Sequence, residues 1–73
     1  MNAVFLDKRD ETIEIWSGNC PVLPRRGDYV VFEDEVVWRV LSCTFLLQIM
    51  AAILLCLPEP EPWNTRPARY SQR

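Results

Sequence analysis

Between Val40 and Leu57 the chain reads VLSCTFLLQIMAAILLCL, 18 residues without a charge. As a helix this run would be roughly 27 Å long, close to the thickness of a bilayer core. Its Leu, Ala, Met and Gln content favours that reading. As β-structure it would form two buried strands, 41–45 and 49–57, about a turn near Gln48. That turn carries no Gly, Asn or Asp, the residues a hairpin normally places there. Two features favour strands. Trp38-Arg39-Val40 belongs to a strand pairing, and Ser42, Thr44 and Gln48 would each need a partner in lipid. The expectation is therefore an all-β domain. The alternatives are an α+β chain with a buried helix at 41–57 and a small single-span membrane protein with its span at 40–57.

Upstream lies a corner. Pro24 fixes its own φ and Gly27 tolerates φ > 0, so Pro24-Arg25-Arg26-Gly27 makes a tight turn. Asp28 can fold its carboxylate onto neighbouring N–H groups. Tyr29-Val30-Val31-Phe32 is β-branched and aromatic and reads as a strand. Glu33-Asp34-Glu35 must face solvent, and residues 36–41 return as a second strand. This is a hairpin whose loop also lacks the usual glycine.

The run Leu23-Pro24-x-x-Gly27-Asp28-x-Val30 followed by Trp38-x-Val40 resembles a pattern in small bacterial and phage proteins with SH3-like barrels. The resemblance spans about residues 2 to 57. It implies a barrel of about five strands, a phage or mobile-element origin, and no particular activity.

A chain of 73 residues makes one domain with a small core. Such domains often lean on disulfides, a metal or a partner. Three cysteines, Cys20, Cys43 and Cys56, stand at wide spacings with no histidine in the chain. That pattern fits neither a zinc site nor a secreted disulfide scaffold, and it points to a reducing compartment and no metal. Residues 1–57 hold five basic and eight acidic side chains, which argues against a nucleic-acid-binding face. Residues 1–16 hold six charged side chains, which is not the pattern of a secretory signal. The expected localisation is cytoplasmic or virion-associated.

Residues 3–6 form a short apolar run expected as a strand. In 12–16, Ile13 and Ile15 alternate with Thr12, Glu14 and Trp16, and Ser17-Gly18-Asn19 is expected to break that strand. Pro58-Glu59-Pro60-Glu61-Pro62 reads as a semi-rigid spacer. Residues 63–73 read as a tail held away from a barrel spanning 2–57.

The chemistry on offer is sparse. Without histidine there is no Ser–His or Cys–His pair, and two glycines make no phosphate cradle. Glu33, Asp34 and Glu35 form a solvated cluster rather than an acid–base pair. The tripeptide Arg26-Gly27-Asp28 matches an adhesion motif, but turn chemistry already accounts for it. The expected role is non-catalytic: a protein-binding module without cofactor, either a virion or assembly accessory protein or a small inhibitor of a host protein. Its partner is another protein or a second copy. Candidate contact residues are Trp63, Arg66, Arg69 and Tyr70 in the tail, Arg25 and Arg26 at the corner, and Trp16 as an exposed aromatic. Trp38 is expected in the core.

Overall fold

The computed structural model describes residues 1–70. Six strands follow one another: β1 (Asn2–Asp7), β2 (Asp10–Asn19), β3 (Tyr29–Val31), β4 (Val37–Leu46), β5 (Ala51–Pro58) and β6 (Ala68–Arg69). They form one sheet in the order β2-β1-β5-β4-β3-β6. Two of the pairings, β1 with β5 and β3 with β6, are parallel; the others are antiparallel.

The uncharged run is the β4–β5 hairpin. β5 lies between β1 and β4, so both of its edges and much of both faces are covered. A strand in that position reads as a continuous apolar segment, which is why its composition imitates a helix. Among the described residues no helix is long and apolar enough to cross a membrane. The helical readings of 41–57 are therefore set aside. The turn Leu47–Met50 solves its missing glycine by placing Met50 itself at φ 51°. The β3–β4 loop does the same with Glu35, at φ 62°. Its turn is closed by the Glu35 N–H donating to the Phe32 carbonyl at 3.1 Å.

The sheet curls into a half-barrel, and its two ends meet through side chains. Trp16 on β2 and Tyr70 just after β6 come from opposite ends of the sheet, yet their rings lie 5.7 Å apart. Phe5 and Phe32 complete the cluster. Trp16 stacks on Phe32 at 5.4 Å, and Phe5 meets Phe32 edge-on at 4.9 Å. Around these rings pack Val30, Trp38, Val40, Ala52, Leu54, Cys20 and Cys56.

Three expectations are corrected here. Trp16 is 7% exposed, not a surface aromatic, whereas Ile13 is 50% exposed. The cause is a β-bulge: Phe5 pairs with Trp16 but Leu6 pairs with Glu14, so Ile15 is the extra residue and the alternation changes phase. Ser17-Gly18-Asn19 does not break β2, which continues to Asn19. Gly18 is there because a Cβ would lie 2.7 Å from the Trp16 ring, which rests over it. Finally, the tail is not held away. Pro62–Asn64 forms a single 3-10 turn, Ala68–Arg69 pairs with β3, and Tyr70 enters the core. The barrel therefore has six strands rather than five, and its last strand comes from the segment read as tail. Of that segment, Ser71 to Arg73 lie outside the described residues.

Candidate interaction surface

The corner forms as its residues require. Gly27 sits at φ 92°, Asp28 accepts a hydrogen bond from the Arg25 N–H at 2.8 Å, and the corner is tied to β4. The Gly27 N–H donates to the Val40 carbonyl, and the Val40 N–H donates to the Asp28 carbonyl, each at 2.8 Å. Arg25 and Arg26 project into solvent beside it.

Corner and tail residues come together. A cavity of ≈ 590 Å³ lies between Leu23, Pro24, Gly27 and Asp28 on one wall and Arg66 and Tyr70 on the other. The other candidates scatter. Trp63 stands alone at 76% exposure on the 3-10 turn, and Arg69 is spent on an exposed ion pair with Glu35. Such a pair contributes on the order of 0.2–1 kcal/mol. Tyr70 faces inward, and burial raises the pKa of its hydroxyl and of the Cys20 thiol. The Nε1 donors of Trp16 and Trp38 are buried and have no hydrogen-bond partner.

A second charged feature sits at the β1–β2 turn. Asp7 is buried, and Arg9 grips its carboxylate with both Nε and Nη2, at 3.0 and 2.7 Å. That grip holds the Asp7 carboxyl below the usual carboxylate range. The same guanidinium lies 5.9 Å from the Trp38 ring, a cation–π contact. It acts as a structural clasp over the end of the core. Among the described residues, no group of three or more His, Cys, Asp or Glu could hold a metal ion. Cys20 and Cys56 are buried, and desolvation pushes the Cys56 thiol up to about 12.

Comparison with known protein families, curated proteins and solved structures finds no match.

The surface that sequence reasoning missed is the far end of the β4–β5 hairpin. Phe45, Leu46, Leu47, Ile49 and Met50 are exposed by between 37% and 72%. Cys43 and Thr44 beside them are also exposed. A hairpin end of this composition would normally be buried, and here it is exposed. The only sequence signal was the turn without turn residues.

Proposed function

We propose that the chain is a non-catalytic protein-binding module whose contact surface is the apolar end of the β4–β5 hairpin. The observation that carries this reading is the contiguity of Phe45, Leu46, Leu47, Ile49 and Met50 in solvent, within the uncharged stretch from Val40 to Leu57. At about 25 cal/mol per Å², covering such side chains is a strong driving force for association. The cavity between corner and tail is a weaker candidate. Arg66 and Tyr70 belong to the folded end of the chain, and no buried polar group there lacks a partner among the described residues. The resemblance suggests a phage or mobile-element origin, and virion-accessory and host-inhibitor roles are two settings for such a module there.

The test is site-specific photo-crosslinking in expressing cells. A photoreactive residue at Gln48 should give discrete protein adducts, whereas one at Glu11, on the charged β2 edge, should give none. Equal, diffuse labelling at both positions, or none at Gln48, would remove the hairpin end from this role.

A further inference from the structure

β4 has one side committed and one side open. Toward β5 it pairs from Trp38 to Leu46. On its other side β3 covers only Val37 to Arg39, and Gly27 and Asp28 cover Val40. From Leu41 to Leu46 no backbone partner lies on that side among the described residues. Unpaired N–H and C=O groups on an uncharged strand edge are a template for a further strand. The β2 edge is different. It carries Asp10, Glu11 and Glu14, charges of the kind that defend an edge against pairing. The open edge of β4 has no charge, no proline and no turn residue.

The phase of β4 determines which groups point outward. Val40 bonds to Gly27 and Asp28, so its backbone groups face away from β5. Its partner Cys56 likewise turns its carbonyl away from β4, to the Lys8 N–H at 2.8 Å. Leu41 is then the extra residue in the ladder, because Val40 pairs with Cys56 but Ser42 pairs with Leu55. After that reset Ser42, Thr44 and Leu46 aim their backbone groups at β5, and Cys43 and Phe45 aim theirs at solvent.

We propose that the occupant of this edge is a second copy of the chain, laid antiparallel about a two-fold axis through Thr44. The proposal rests on the protein-binding reading and names its partner. In this register Cys43 of each copy pairs with Phe45 of the other, so each outward N–H meets an outward C=O. Ser42 stands opposite Leu46, and Thr44 faces its own counterpart. The ladder stops where the molecule stops it: the Gly27–Asp28 corner closes one end and the Leu47–Met50 turn closes the other.

Three arguments select a copy of the same chain over a different protein. A two-fold makes this strand complementary to itself without further requirements. Self-pairing usually sets like charges against one another, and here there are none to repel, although the chain as a whole carries −2. A different partner would find no charged side chain on the open stretch from Leu41 to Leu46 by which to be recognised. The defended β2 edge ends the assembly at two copies.

Sedimentation velocity of the full chain under reducing conditions, from micromolar to millimolar concentration, tests this. The expected result is a reversible doubling of the 8.6 kDa mass. Thr44→Lys and Thr44→Glu each set like charges face to face and should each weaken the dimer at least about tenfold. Thr44 is exposed, so each variant should keep the wild-type melting curve at low concentration. Mixed in equal amounts, the two variants should recover a dimer. A monomer at every concentration overturns the proposal, as does a Thr44→Lys protein that dimerises like wild type, or a mixture that stays monomeric. A monomeric wild type that still gives adducts from Gln48 would sink self-pairing and leave the binding reading standing. Loss of both would sink the two together.

Discussion

Tyr70 is the residue on which closure of the half-barrel depends, and truncating it to Tyr70→Ala measures that closure. Its ring touches Phe5 at 6.0 Å, Trp16 at 5.7 Å and Phe32 at 5.9 Å. Its N–H donates to the Val31 carbonyl at 2.9 Å, which extends the β3–β6 ladder by one bond. The backbone bond survives in the alanine variant; the ring contacts do not. A fully buried aromatic truncated to alanine costs about 3–5 kcal/mol. Tyr70 is only partly buried, which brings the expectation to about 2–3 kcal/mol. For a domain of this size each kcal/mol moves the melting temperature by about 4–8 °C, so a fall of about 10–20 °C is expected. The assay is thermal unfolding followed by near-ultraviolet circular dichroism, because Trp16 stacks directly on this cluster. Tyr70→Phe keeps the ring and loses only the hydroxyl, so it should fall by less than about 5 °C. If Tyr70→Ala melts within about 3 °C of wild type, the ends of the sheet are not held together by this cluster, and the segment after Pro58 is an appendage after all.

Other substitutions probe separate parts of the structure. A Cβ at Gly27 meets no atom within 4 Å, so the main cost of Gly27→Val is backbone strain at φ 92°, about 1–2 kcal/mol by chemical denaturation; no loss would mean that the corner does not need its glycine. Met50→Gly relieves a left-handed methionine and should stabilise by about 0.5–1 kcal/mol in the same measurement. The Asp7 carboxyl is depressed by Arg9, so its contribution is present above the ordinary carboxylate pKa and is lost as pH falls through the lowered value. Asp7→Asn should therefore flatten the acid side of the stability–pH curve, and an unchanged acid limb would show that the clasp contributes nothing. In the native protein a thiol reagent should modify Cys43 quickly and leave Cys20 and Cys56 until unfolding, which mass spectrometry of the labelled chain reads directly.

The parts of the fold that the sequence disclosed were those written locally. Pro24 to Gly27 names a turn by its own residue types, and Tyr29 to Leu41 names a hairpin by two β-rich runs flanking three acids. Trp38 was placed in the core and is 7% exposed. What escaped was set by pairing partners far away in the chain. Ile15 becomes a bulge only because Leu6 pairs with Glu14, and no feature of 12–16 announces the resulting change of face. The proline segment is the same string whether it holds a tail away or carries the chain across to β3. The exposed hairpin end was hidden by its own composition, since an apolar run is the usual mark of burial.

The parallel pairing of β1 with β5 has a consequence for how the molecule assembles in time. Asn2 lies against Ala51 and Asp7 against Cys56, so β1 can complete its ladder only after β5 has been made, with β2, β3 and β4 between them in the chain. The β1–β2 hairpin and the β3–β4–β5 meander are each built from neighbours in sequence and can form early. Joining them means closing a long loop, the slow kind of step in β-rich folding. Until that docking, the apolar edge of β5 that receives β1 stands open beside the open edge of β4. The nascent chain therefore passes through a stage with two adhesive edges, one of which the finished monomer never covers.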